Sequence, residues 1–210
     1  MAKHTITTLF DRFGDAQNAV RELETTGIPH SDISIVANQA NSGYRIAPVG
    51  AETEAAAGAG TGAAAGAVLG GGAGLLAGLG IIAIPGLGPV VAAGWLAAAA
   101  VTAAAAAGVG GMVGGLIGSL IEAGVSEPDA HLYAEGVRRG GALVTVRAEE
   151  NQLAEVRAIL RKNAPVDMLG RGEAYRADGW TGFDPNARPY SASEADRERE
   201  RASYGGRRAG

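Results

Sequence analysis

The chain has 210 residues, no cysteine and a formal net charge of −4, and its length allows one or two domains. The absence of cysteine excludes disulfides, thiol nucleophiles and thiolate metal sites, and it fits a reducing, cytoplasmic compartment. The slightly acidic balance does not indicate nucleic-acid binding. We expect no N-terminal targeting signal, because residues 1–4 lead straight into an alternating run.

The segment 4–37 is predicted to form a strand, a helix and a second strand. Residues 5–10 are rich in β-branched and aromatic side chains, which favours a strand. Asp15 is predicted to cap the helix, and Gly27 to end it in the left-handed conformation. Residues 33–37 are apolar except for Ser34 and form the second predicted strand. Between the cap and the stop, apolar residues recur at helical spacing: Ala16, Ala19, Val20 and Leu23.

The longest uncharged stretch lies between Glu54 and Glu122, where the sequence contains no Asp, Glu, Lys, Arg or His. A proline-glycine turn near its middle divides this stretch into two arms, residues 55–83 and 90–121. Each arm exceeds the roughly 20 residues that a helix needs to cross a bilayer. We therefore predict a long α-helical hairpin. Its turn is predicted at four helix-breaking residues: Pro85, Gly86, Gly88 and Pro89.

Both arms carry small residues at every fourth position, which predicts a glycine zipper for helix packing and oligomerisation. Such a stripe lets a second helix approach closely, and it winds around the arm because a helix has 3.6 residues per turn. We therefore expect contacts within the hairpin and between copies, so that the chain forms a homo-oligomer. The glycines of this predicted zipper are Gly58, Gly62, Gly66, Gly70, Gly74, Gly78, Gly94, Gly110, Gly114 and Gly118.

The environment of the hairpin has two interpretations. The uncharged arms predict membrane or lipid association. Glycine and alanine gain little from lipid, so a water-soluble assembly of close-packed hairpins is the alternative. A flexible linker is disfavoured, because apolar residues such as Leu75, Ile81 and Ile82 do not suit a solvated segment.

The segment 126–169 is predicted to form a helix followed by a second strand–helix–strand unit. Ser126 is predicted to cap the first helix, which ends at Gly140 and Gly141. Residues 142–146 form the next predicted strand. Asn151 is predicted to cap the last helix and Asn163 to stop it, and residues 166–169 form a short final strand.

The two halves share a register, which predicts an internal duplication. Two strand–helix–strand units make a ferredoxin-like arrangement, a four-stranded antiparallel sheet with two helices on one face. The predicted class is therefore α+β, with the hairpin inserted between the units. Counted from Asp15 and Asn151, matching residues stand at equal distances: Val20 and Val156, Leu23 and Ile159, Gly27 and Asn163, Pro29 and Pro165.

Beyond residue 170 the composition shifts to Gly, Asp, Arg, Ser and Pro, which predicts a disordered charged tail. The predicted organisation has four parts. Residues 1–50 hold the first unit and a linker, and residues 51–125 hold the hairpin insertion. Residues 126–170 hold a helix and the second unit, and residues 171–210 form the tail.

Three segments together resemble the bacterial general-stress protein 17M family and related membrane-annotated stress proteins. The first comprises residues 8–11 with 19–23 and 32–36, the second is residues 83–89, and the third is residues 133–141 with the strand that follows. The resemblance spans roughly residues 4–170. It implies a stress-induced, non-enzymatic protein whose molecular role is poorly defined, and it supplies no catalytic residues.

No catalytic, cofactor-binding or metal-ligating residue is predicted. The three histidines, His4, His30 and His131, are far apart in sequence and lack ligand spacing. The Gly-rich runs lack the Lys-Ser/Thr pair of a phosphate loop. Arg138 and Arg139 are interpreted as solvated cations at a helix end, with an anion site as the alternative.

The sequence therefore predicts a non-enzymatic general-stress protein. Its ferredoxin-like domain is expected to be attached to a membrane or lipid, or assembled into oligomers, through the hairpin. One alternative is a soluble self-assembling scaffold protein. Another is a ligand-sensing module, since ferredoxin-like sheets often bind small molecules.

Overall fold

The computed structural model describes residues 3–39, 75–84, 87–106 and 113–206, and these ranges contain five β-strands and seven α-helices. The α+β class is confirmed. The strands are β1 (Lys3–Phe10), β2 (Ile33–Asn38), β3 (Gly80–Ile84), β4 (Gly88–Gly94) and β5 (Ala142–Glu149). The helices are α1 (Phe13–Thr25), α2 (Trp95–Ala106), α3 (Val113–Glu122), α4 (Glu127–Arg138), α5 (Leu153–Lys162), α6 (Met168–Ala177) and α7 (Ala192–Gly206).

All five strands form one antiparallel sheet in the order β1-β5-β2-β4-β3. The centre combines strands from the two predicted units, since β5 pairs with β1 on one side and with β2 on the other. The hairpin of β3 and β4 extends the sheet beyond β2. The two edges of the described sheet are therefore β1 and β3.

Helices cover both faces of the sheet. Side chains along each strand point alternately to the two faces and so enter two separate cores. Phe10 lies in a core formed with α1 and α5, which share one face. Its neighbour Leu9 lies in the opposite core, formed with α2, α3 and α4. Two helices on one face agree with the sequence-based expectation, but the second, helix-covered face was not expected.

The predicted helical arms are wrong around the proline-glycine turn, where residues 80–84 and 88–94 are paired strands. The chain does reverse there, and the N–H of Leu87 donates to the carbonyl of Ile84 at 3.0 Å. Short apolar runs fit a buried strand as well as a helix, and the β-branched residues of this run favour the strand. The rest of the first arm, residues 55–74, lies outside the described residues.

The second arm is helical in two pieces. Helix is confirmed for α2, with 12 residues, and for α3, with 10 residues. Within the ranges that the structure describes, no helix is both long and apolar enough to span a bilayer.

Helix termini agree in part with the predicted caps. The hydroxyl of Ser126 accepts from the N–H of Asp129 at 3.3 Å, as predicted, and Gly27 has the predicted positive φ of 83°. Asp15 is not the N-cap of α1, because the helix begins at Phe13 and includes Asp15 in its first turn.

The second unit departs further from its predicted termini. Asn151 lies in a 3₁₀ turn, Glu150–Gln152, that precedes α5 and is capped by Glu149. Asn163 is not left-handed; the positive φ of 53° falls on the next residue, Ala164.

The predicted final strand at residues 166–169 is wrong. An antiparallel bridge joins Phe10 to Pro165, and the N–H of Val166 donates to the carbonyl of Leu9 at 2.8 Å. The chain then turns into α6, because the carboxylate of Asp167 accepts from the first free amides of that helix.

The predicted disordered tail is also wrong for residues 171–206, which contain most of α6 and all of α7. Tyr175 and Ala195 are each 1% exposed, and Phe183 joins the core beside α4. A few well-placed anchors hold this segment although its average composition is polar.

Candidate functional site

The outer edge of β3 presents backbone groups that no described residue satisfies. Along antiparallel strands, N–H and C=O groups point to alternate sides, so one known direction fixes the others. The carbonyl of Leu9 faces outward from β1, where it accepts from Val166. Residues directly opposite each other both point their backbone groups toward each other or both point them away. When this rule is applied to the four strand pairings in turn, the backbone groups of Ile81 and Ala83 point away from β4. The position of Pro89 is consistent with this direction, because Pro89 lies opposite Ala83 and the β3–β4 pairing requires no N–H at that position.

The β3 edge carries no charged residue. Ile81 is 38% exposed, which is high for a large aliphatic side chain in a sheet. Natural proteins protect edge strands with charges, prolines or covering loops, and an uncovered apolar edge favours pairing with another strand. Geometry and composition therefore identify this edge as a candidate interaction site.

The opposite edge, β1, is protected at its C-terminal end by Val166. Its N-terminal end carries Lys3, whose ammonium group lies 2.5 Å from the carboxylate of Asp32. His4 beside it lies 2.8 Å from Glu150. The two edges of the described sheet therefore differ in chemistry, because charged side chains stand at the N-terminal end of β1, whereas β3 carries no charge.

The structure places the predicted zipper and turn residues in several different elements. Gly78 ends a 3₁₀ turn, Gly88 and Pro89 begin β4, Gly94 ends β4, and Gly114 and Gly118 lie in α3. The described residues therefore do not show a continuous glycine stripe. Outside the described residues lie Gly58, Gly62, Gly66, Gly70, Gly74, Pro85, Gly86 and Gly110.

Gly94 is required for a reason other than helix packing. Its φ is 93°, a conformation that disfavours residues with a side chain. A Cβ at this position would also collide with the backbone of Ile33 in β2. Gly94 thus lets the chain leave the sheet and turn into α2.

The close approach of α2 and α3 depends on Gly115, which the fourfold spacing missed. A Cβ on Gly115 would lie 2.5 Å from the carbonyl oxygen of Ala100. A Cβ on Gly118 meets no described atom within 4 Å outside its own helix backbone. Helix contact through a glycine is therefore present, but shifted by one residue from the predicted stripe.

A buried ionic cluster joins the end of α4 to the C-terminal segment. Glu135 is fully buried, and its carboxylate accepts from Arg138 Nε at 2.8 Å and from Arg139 Nε at 2.6 Å. The guanidinium of Arg139 also lies 3.9 Å from the ring centroid of Tyr175 and 3.4 Å from Glu198. The two arginines are neutralised inside the fold, which contradicts their interpretation as solvated cations.

A second ion pair anchors α6 near the start of α1. Arg171 donates to both carboxylate oxygens of Asp11, at 2.9 and 2.8 Å. Burial lowers the pKa of Arg171, but the hydrogen bonds and charge of Asp11 more than offset this and raise it above its usual value. Burial raises the pKa of Tyr175 to about 12, against the opposing charges of Arg171 and Arg139. Both clusters are structural anchors with their charges internally balanced.

An open groove of about 290 Å³ follows the outer edge of β1. One wall is α5, with Arg157 and Arg161, and the other is formed by Tyr133 of α4. The segment around Pro165 closes one end. Both arginines are exposed, and neither has an ion pair with another residue in the described part of the chain. Their i, i+4 spacing was visible in the sequence, whereas the open edge was hidden by the wrongly predicted final strand.

In the described ranges, no group of three or more His, Asp or Glu side chains is arranged to hold a metal ion. No known protein family, curated protein or solved structure matches the chain.

Proposed function

We propose that this chain is a non-enzymatic general-stress protein that assembles into homo-oligomers through the segment predicted as its hairpin. The edge strand β3 belongs to that segment. The observation that carries the proposal is the outer edge of β3, which combines backbone groups without a partner among the described residues, no charge and a partly exposed Ile81. The stress-response assignment rests on the sequence resemblance.

The domain that assembles is proposed to be ferredoxin-like. Strand β5 lies between β1 and β2, antiparallel to both, and Pro165 bridges the outer side of β1. This is the strand order expected for two interlocked strand–helix–strand units, with the fourth strand reduced to a bridge. In the proposal, β3 and β4 are an addition to this unit that creates a new edge.

The β3 edge suits a second copy of itself. The outward groups of Ile81 would pair with those of Ala83 in the partner copy, and the reverse, about a two-fold axis at Ile82. This antiparallel register satisfies all the outward amides and carbonyls of the strand centre without placing like charges together. Two five-stranded sheets would then become one continuous sheet.

The test is the mass of the purified full-length chain and of its Ile81→Lys variant, measured by light scattering across a concentration series. A lysine on an open edge disfavours strand pairing, so we expect the Ile81→Lys variant to be monomeric at concentrations at which wild type is oligomeric. Leu169→Lys is the matched control, because it also places a charge at an exposed aliphatic residue, 77% exposed in α6. It should leave the oligomer unchanged.

A monomeric wild-type chain at all concentrations would refute self-assembly. Equal oligomers for wild type and Ile81→Lys would refute the β3 edge as its site. Fractionation of expressing cells with carbonate and detergent tests the membrane variant of the hypothesis, which requires the chain to resist carbonate and yield only to detergent.

A further inference from the structure

We propose that the outer edge of β1 binds an extended peptide segment of alternating acidic and apolar residues, which adds a strand to the sheet. The site is the groove between α5 and Tyr133, at the opposite end of the sheet from the β3 edge. The proposal is independent of the assembly through β3.

The edge offers backbone groups in the right direction. The backbone carbonyl of Leu9 points outward from the sheet. The backbone groups of Thr7 and Thr5 therefore point outward as well, because this direction repeats every two residues along a strand. A hydrogen bond supports this direction, because the carbonyl of Thr7 accepts from the hydroxyl of Tyr133 on the outer side at 3.1 Å. The N–H of Thr7 and both backbone groups of Thr5 have no partner among the residues described. A guest strand can therefore pair here, as in other proteins that bind peptides at a sheet edge.

The walls of the groove select the guest's side chains. On one face, Ile6 packs against the core that contains α5. Arg157 and Arg161 of α5 line the same groove and have no ion pair among the described residues. Guest side chains on this face meet two cations, which favours Asp and Glu. On the other face, the wall is formed by Tyr133 and Met168, which pack against the apolar core. Guest side chains on that face are therefore apolar.

One acidic group also lines the groove, at Asp167. Its carboxylate is engaged as the N-cap of α6, accepting from Leu169 and Gly170 at 3.1 and 3.3 Å. The positive end of that helix further offsets its charge. The groove therefore keeps a net positive character, from Arg157 and Arg161.

The probe is the peptide acetyl-(Glu-Val)₄-amide, labelled with a fluorophore and titrated with the full-length chain. Arg157→Glu combined with Arg161→Glu should weaken binding by at least about tenfold. Arg197→Glu combined with Arg201→Glu is the matched control, because these arginines have the same i, i+4 spacing on α7. The control should bind like wild type, and equal weakening by both variants would overturn the proposal.

Backbone methylation tests strand addition. In an antiparallel guest strand, the residues that pair with Thr5 and Thr7 carry their side chains on the Tyr133 face, so they are the valines. Methylating the valine amides should abolish binding, whereas methylating the glutamate amides should not. Loss of binding in both peptides, or in neither, would overturn the proposed geometry.

Hydrogen exchange locates the guest. Peptide binding should slow amide exchange at Thr5 and Thr7, while Ile6 and Thr8, which already face β5, should change little. Unchanged exchange at Thr5 and Thr7 under saturating peptide would place binding elsewhere. Protection that rises with protein concentration alone would mean that a second copy occupies the edge, which also contradicts the proposal.

Discussion

The carbonyl oxygen of Ala100 lies so close to Gly115 that a Cβ on the glycine would stand only 2.5 Å away. The contact joins α2 to α3 in the layer that covers one face of the sheet. A backbone atom cannot yield as a flexible side chain can, so the helices must separate if residue 115 gains a side chain.

We therefore expect Gly115→Ala to destabilise the fold by about 1–3 kcal/mol, the usual range for overpacking. Gly118→Ala is the control on the same helix, since its Cβ would meet no described atom within 4 Å outside its own helix backbone. It should stabilise the fold by up to about 1 kcal/mol, because alanine is the better helix former. Urea unfolding of the two variants measures both values, and a stabilised Gly115→Ala chain would contradict the helix contact.

Removal of the Glu135 charge should be costly. Glu135→Gln leaves two arginine side chains, 12% and 8% exposed, without their shared carboxylate. Breaking a buried ion pair from one side costs about 3–5 kcal/mol, a large part of a domain's stability. The control Glu173→Gln changes an exposed carboxylate on α6 and should shift the unfolding free energy by less than about 0.5 kcal/mol. Similar denaturation midpoints for the two variants would refute the burial of the cluster.

High pH should loosen the C-terminal segment through Tyr175. The folded pKa, about 12, lies above the ordinary value of 10.0, so the unfolded chain loses its proton first. The stability from this group is present below pH 10 and is lost as the pH rises through 12. The loss amounts to roughly 3 kcal/mol.

The measurement compares wild type with Tyr175→Phe, in which the hydroxyl group is absent. The difference in unfolding free energy between the two should narrow or reverse between pH 10 and 12, because only wild type carries the ionisable group. A difference that stays constant across this range would show that Tyr175 titrates normally and is not buried against Arg139.

The elements that could be predicted from sequence are those with local, periodic signals. Helices α1 and α5 each have one apolar and one polar face. Ser126 is the N-cap of α4, as expected. Strands β3 and β4 could not be separated from helix in the same way. Their uncharged sequence has no polar face, so no periodicity of 2 or 3.6 can be detected.

The C-terminal segment was mispredicted for a different reason. Its order depends on pairs such as Arg171 with Asp11, which stand 160 residues apart. Average composition describes such a segment as disordered because it has few apolar residues. The candidate site at β3 was missed together with the strand itself, although the sequence-based hypothesis of assembly concerned the same segment.

The most direct test of assembly through β3 uses the absence of cysteine from the chain. In the two-fold register, Ile82 lies opposite its own copy in a pair whose Cα atoms are about 4.5 Å apart. That separation lies within the range of a disulfide bond. Ile82→Cys should therefore form a disulfide-linked dimer on mild oxidation, seen by non-reducing electrophoresis and intact mass. Leu169→Cys is the control and should remain uncrosslinked. Failure of Ile82→Cys to crosslink above this control, in a chain that is oligomeric by light scattering, would contradict the β3 interface.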